Sequence, residues 1–204
     1  MDTYKTSETA FIKQLNYNNF EFSNSYPQHW NQLIVDLYAL DKTHTINRFV
    51  DIGCGCGATQ RVVNKHLPRI DYFGYDYSEA AISLASKTFN NGYFRVKDCF
   101  EFNDSDFNEG DVVFMSALGD VLANADELFD KYLKFKNINF LLLYRVRVTD
   151  KQSYYDSEIA YNDVSTFAYY HNLENLINSF KENGFNYTIN DNANNSKNIL
   201  LIRN

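Results

Sequence analysis

Between Arg48 and about Val146 the sequence switches repeatedly between two periodicities, and this constrains the fold more than any other feature. "RFVDI" is a short apolar strand that runs straight into "GCGCG", and "ATQRVVNKHL" behind it has helical spacing up to Pro68. "DYFGYD", "YFRVK", "DVVFM" and "INFLLLYRV" read as further strands. "SEAAISLASKTF" and "ADELFDKYLKF" read as helices between them, the first with Ser78 as N-cap. Strands alternating with helices in this way predict a parallel sheet covered on both faces.

The two ends of the chain depart from that rhythm. Residues 1–45 are polar and helical, and in "YPQHWNQLIVDLYAL" they place Trp30, Leu33, Ile34 and Leu37 on one stripe behind Pro27. They form a helical cap on a core of residues 46–204, the whole being one domain. At the other end, "NLENLINSFKENG" is an amphipathic helix with Asn172 as cap and Gly184 as stop. "FNYTI" and "NILLI" around the polar "NDNANNSK" then read as a β-hairpin. The expected fold is therefore α/β: a doubly wound, mostly parallel, seven-stranded sheet with a C-terminal antiparallel hairpin and an N-terminal helical cap.

In open α/β sheets the ligand lies at the carboxyl ends of the strands, where strand order reverses. Gly53, Gly55 and Gly57 follow the first strand directly, so the backbone can turn tightly and approach a ligand. Asp76 closes the second strand, where a carboxylate can accept hydrogen bonds from both hydroxyls of a ribose. Tyr77 beside it can lie on an adenine, and Asp98 after the third strand can accept from an adenine amino group. A zinc reading of Cys54 and Cys56 fails, because structural zinc takes four ligands with cysteines usually at C-x₂₋₄-C spacing, and here it is C-x-C.

Two nucleoside cofactors suit this layout. Residues 53–58 satisfy G-x-G-x-x-A, a form of the dinucleotide fingerprint, which would make the chain an NAD(P)-dependent oxidoreductase. Against it stands Asp51, two residues before the first glycine, whose charge favours a cationic ligand and opposes a pyrophosphate.

The longer pattern D-x-G-x-G-x-G at Asp51, Gly53, Gly55 and Gly57 resembles motif I of the class I (Rossmann-like) S-adenosylmethionine-dependent methyltransferases. "FGYDYSEAAI", "RVKDCF" and "GDVVFMSALGDVL" follow in the order of that family's second-strand, adenine-loop and fourth-strand motifs. The resemblance implies S-adenosylmethionine as cofactor, with S-adenosylhomocysteine as product. It implies that Asp51, Gly53 and Gly55 hold the methionine part, Asp76 the ribose, and Tyr77, Asp98 and the Cys99 amide the adenine. Ser116 would lie near the methionyl group.

The acceptor is read mainly by exclusion. No N/D-P-P-Y/F box of base-amino methyltransferases follows the fourth strand, and Pro27 and Pro68 are the only prolines. The paired glutamates of protein arginine methyltransferases are missing from the same region, and a net charge of −7 argues against a polyanionic partner. A hydroxyl or amine of a small molecule or sugar is the expected acceptor. His171 and Arg145 are the candidate catalytic residues, and Tyr26, His29 and Tyr170 the candidate acceptor contacts. The segment from about Tyr144 to His171 shows no clear periodicity and reads as a specificity loop. Without a signal sequence, a long apolar run or a paired cysteine set, a cytoplasmic protein that does not span a membrane is expected. A chain that binds the cofactor but is catalytically silent, serving as a partner subunit, is the remaining alternative.

Overall fold

The computed structural model describes residues 8–160, 164–193 and 195–203. Two helices come first, α1 (Glu8–Asn24) and α2 (Gln28–Thr43). Pro27 stands one position ahead of α2, where its carbonyl accepts from Trp30 N and Asn31 N at 3.0 and 3.1 Å. Trp30, Leu33, Leu37 and Leu40 are the buried apolar residues of α2, so the expected stripe is the face that docks.

The alternating section follows: β1 (Arg48–Ile52), α3 (Thr59–His66), β2 (Asp71–Asp76), α4 (Glu79–Thr88), β3 (Tyr93–Val96), β4 (Asp111–Ser116), α5 (Ala125–Leu133) and β5 (Phe140–Thr149). Ser78 caps α4 by accepting from Ala81 N at 3.4 Å. β3, β2, β1, β4 and β5 lie side by side in that order, all parallel. Strand order therefore reverses between β1 and β4, which opens a crevice at their carboxyl ends.

After α6 (Leu173–Glu182), β8 (Phe185–Asp191) and β9 (Ser196–Arg203) form the expected hairpin. β9 runs antiparallel to β5 and completes a seven-strand order of 3-2-1-4-5-9-8. Asn172 caps α6 by accepting from Asn175 N at 2.8 Å, and Gly184 leaves it with φ +77°. The side chains of β1 and β4 alternate between two cores. Phe49 and Phe114 pack under α2 and α3, while Val50 and Val113 pack under α5 and α6.

One element was not foreseen. The segment read as a loop forms β6 (Tyr154–Ala160) and β7 (Val164–Asn172), an antiparallel pair with Tyr154 opposite Tyr170. β7 pairs in parallel with the far end of β5, at Val148↔His171 and Thr149↔Asn172. Its period is hard to see because aromatic residues sit in adjacent positions: Tyr154 and Tyr155 are both exposed, at 44% and 66%. Tyr, Phe, Val and Thr still suit a pleated surface, and they supply the strand propensity. Among the described residues no helix is long and apolar enough to cross a membrane.

Candidate active site

Behind β1 the chain turns back on itself. Gly53 N and Cys54 N both donate to the carbonyl of Tyr75 on β2, at 2.8 and 3.0 Å. Gly57 takes φ +79°, a region that side chains rarely enter, and a Cβ there would sit 2.7 Å from the Phe94 ring. Asp76, 7% exposed, ties the turn to the second strand. Its Oδ2 accepts from Gly55 N and its Oδ1 from Ser78 N, each at 2.9 Å. A carboxylate offers about four acceptor positions, so this anchoring and a ribose diol are compatible.

The neighbouring strand end continues the row. Asp98 Oδ1 accepts from Phe100 N at 2.8 Å and caps the short turn Cys99–Glu101. Burial, with Asp98 adding to it, pushes the Cys99 thiol up to about 12. Tyr77 is half-buried directly after Asp76. Asp51, Asp76 and Asp98 thus occupy successive strand ends along β1, β2 and β3.

Asp51 lies at the floor of a pocket and is 2% exposed. Tyr72 Oη donates to its Oδ2 at 2.5 Å. Burial pushes the carboxyl up to about 7, against the hydrogen bonds from Tyr72 and Thr59. Among the described residues no lysine or arginine comes within ion-pair distance of it. A buried carboxylate in this condition is the natural seat for a cationic ligand.

The walls of the pocket come from three places. α1 supplies Gln14, Tyr17, Asn18 and Glu21, and it packs over the turn closely enough that Gln14 Oε1 accepts from Cys56 N at 3.4 Å. α2 supplies His29 and Trp30. Burial, together with the charge of Arg145, pushes the His29 imidazole down to about 2, so it stands neutral. The strand ends supply Ser116 and Arg145, with Arg145 Nε donating to Ser116 Oγ at 3.0 Å. Arg145 has φ +57°, and Asn198, fully buried, holds its backbone by accepting the amide N–H at 3.1 Å. A residue with a Cβ in that region costs about 1–3 kcal/mol.

The structure brings Asp51, Gly53, Ser116, Arg145 and His29 together in this pocket, with Gly55 and Asp76 bonded to each other beside it. Tyr77, Asp98 and Cys99 follow along the ends of β2 and β3, while Tyr26, Tyr170 and His171 lie elsewhere. Tyr26 packs with Phe22, Trp30 and His66, ring centroids 5.4–5.9 Å away, and forms the joint between the cap and α3. Tyr170 stacks on Tyr154 at 4.8 Å and accepts from Arg147 Nη1 at 3.2 Å. His171 is on β7 rather than at a helix start, and the strand turns it into the interior. There it is 0% exposed, with Nδ1 2.6 Å from Asp126 Oδ1 and its ring stacked on Phe129.

Sequence reasoning missed the contribution of α1. Gln14, Tyr17, Asn18 and Glu21 share one helical face by their spacing of three, one and three, so the polar stripe was there to be read. Asp120 pairs with Arg147, accepting from its N and Nε at 3.2 and 3.3 Å.

Residues 50–136 match the model of a family described as "Methyltransferase domain". This stretch, from β1 to just past α5, is where the chain is similar to a methyltransferase domain. No curated protein matches the sequence. Solved methyltransferases share its fold at low identity. CalS10, an amino pentose methyltransferase from Micromonospora echinaspora, is 11% identical with a TM-score of 0.68, over 95% of this chain and 97% of that one. Magnesium protoporphyrin IX methyltransferase from Synechocystis is 15% identical with a TM-score of 0.66, over 100% of this chain and 94% of that one. The sugar N-methyltransferase KedS8 from a Streptoalloteichus species is 11% identical with a TM-score of 0.64, over 94% of this chain and 92% of that one. CalS10 and the Synechocystis enzyme were solved with S-adenosylmethionine bound.

Proposed function

We propose that this methyltransferase uses S-adenosylmethionine to methylate a hydroxyl or amine of a small polar molecule. The observation that carries the reading is Asp51: a buried carboxyl, held near neutral pH, at the floor of a pocket where strand order reverses. The cofactor is a cation and would supply an already activated methyl group. Asp51 then balances positive charge near the methionyl part, with Tyr72 fixing the carboxylate. Asp76 accepts from the ribose, Tyr77 covers the adenine, and Asp98 with the Cys99 amide reads its edge. A dinucleotide would instead have to bring its pyrophosphate against Asp51.

The acceptor enters between α1 and the ends of β4 and β5, on the Ser116 side. His29, neutral, accepts a hydrogen bond from the acceptor's hydroxyl or amine and so turns a lone pair toward the methyl group. Holding nucleophile and methyl carbon in line is worth roughly 7–11 kcal/mol. The sugar-directed neighbours favour a small polar acceptor of this kind.

The test is melting temperature with S-adenosylmethionine, S-adenosylhomocysteine, NAD and NADP in separate samples. A ligand near a hundred times its dissociation constant stabilises by about 2.7 kcal/mol, or about 5–11 °C for a chain of this size. A shift with the S-adenosyl compounds alone supports the reading, and a shift with the nicotinamides alone defeats it. Release of S-adenosylhomocysteine over an acceptor panel separates an enzyme from a silent partner subunit.

A further inference from the structure

β5 carries one residue more than its pairing with β9 needs. From Leu143↔Ile199 to Val146↔Lys197 it advances three positions while β9 advances two. Bulges of this kind re-aim a side chain and are frequent beside functional sites. Here the left-handed residue is Arg145, where glycine or asparagine would fit with less strain. The strain is held in place by a dedicated partner, the fully buried Asn198. Its effect is to set the guanidinium in the pocket wall, with Nε fixed by Ser116.

Only Nε is used. Among the described residues no group accepts a hydrogen bond from the two terminal nitrogens of Arg145, and no carboxylate lies within ion-pair distance. Glu21, Asp51 and Asp120 sense its charge from further away. Two N–H groups in a planar fork match two oxygens of a carboxylate or phosphate, a geometry that lysine does not provide.

We propose that Arg145 anchors an anionic group, carboxylate or phosphate, on the methyl acceptor, so that the acceptor is an acid and not a neutral sugar. This rests on the methyltransferase reading above. The anion sits on the terminal nitrogens, between Ser116 and His29, and the group to be methylated faces His29. Bound there, the anion also offsets the guanidinium charge that helps keep His29 from taking a proton. The cofactor's own carboxylate is the competing occupant, and the experiment separates the two.

The full chain, saturated with S-adenosylhomocysteine, is titrated by melting temperature with hydroxy and amino carboxylic acids, their primary amides, and their phosphate monoesters. Acids or phosphate esters should stabilise the loaded protein while the matching amides do not. Arg145→Gln and Arg145→Gly should weaken that binding about ten- to a hundred-fold, the loss of a charge-assisted pair. Both should bind S-adenosylhomocysteine within about twofold of the parent, since the proposal places no cofactor contact on Arg145. Arg145→Gly should melt no lower than the parent because glycine relieves the left-handed backbone; an arginine with a purely structural role would lower the melting point.

The proposal is overturned if amides bind as well as acids, if no acid or phosphate ester binds, or if Arg145→Gln leaves anion binding intact. A tenfold loss of S-adenosylhomocysteine affinity in Arg145→Gln would assign the arginine to the cofactor and equally overturn it. Failure of S-adenosylhomocysteine to bind the parent protein is a separate result, one that sinks the cofactor reading and takes this proposal with it.

Discussion

Affinity for S-adenosylmethionine should fall as pH drops below about 7, because the ionised form of Asp51 receives the cation while the empty pocket pushes that carboxyl up to about 7. The sign follows from linkage: a cation stabilises the carboxylate, lowers its pKa in the complex, and releases a proton on binding. With the empty-site value near 7, the apparent dissociation constant is about 11 times its high-pH plateau at about pH 6, and about 100 times at about pH 5. About half a proton leaves per cofactor bound at about pH 7. His29 does not blur the window, since its imidazole is pushed down to about 2. Isothermal titration in buffers of different ionisation enthalpy measures both the affinity and the protons released. Asp51→Asn should flatten the profile. The same substitution should stabilise the empty protein at about pH 8, because the parent keeps an ionised group buried there; each unit of pKa elevation is worth about 1.4 kcal/mol. An affinity that is flat across this range in the parent, or a step that persists after Asp51→Asn, would refute the role given to Asp51.

The remaining expectations concern single side chains. Asp76→Ala should weaken S-adenosylmethionine binding at least about tenfold. It should also destabilise the fold by about 1–3 kcal/mol for each of the two backbone N–H groups it leaves unpaired, as read by urea denaturation. His29→Ala should slow turnover about ten- to a hundredfold with cofactor affinity unchanged, and equal turnover would remove His29 from the acceptor site. His171→Ala should instead lower stability by about 2–4 kcal/mol through lost packing on Phe129 and loss of its bond to Asp126, while the folded fraction keeps its turnover. Gly57→Ala should cost about 1–2 kcal/mol from its φ of +79° alone, with more from the Phe94 ring, measured as a fall in melting temperature.

Much of the fold could be read because local signals agreed with one another. Ser78 and Asn172 cap the helices they precede, and the glycines fall where the backbone enters the left-handed region. The placement of Asp51, Asp76 and Asp98 was legible for the same reason: they are strand-end residues, and a strand end is visible in sequence. The rest of the pocket lining was not, since it comes from elements far apart in the chain. Tyr72 meets Asp51 because β1 and β2 pair, and that register is not written in either segment alone. His171 misled because a strand and a helix adjoin at Asn172, and one residue decides whether a side chain faces solvent or core. Tyr26 misled by proximity to His29, although a helix start separates their directions.

The extra residue in β5 has a consequence for how this pocket changes over time. Deleting it would restore uninterrupted pairing with β9 and swing the arginine's position onto another face, because side chains alternate along a strand. Acceptor chemistry would then change in one step, by a shift in length rather than by exchange of one amino acid for another. The glycine turn behind β1 lies on other strands and would keep its shape. Relatives that differ by one residue at this point of the fifth strand should therefore differ in what they methylate more than in how they hold the methyl donor.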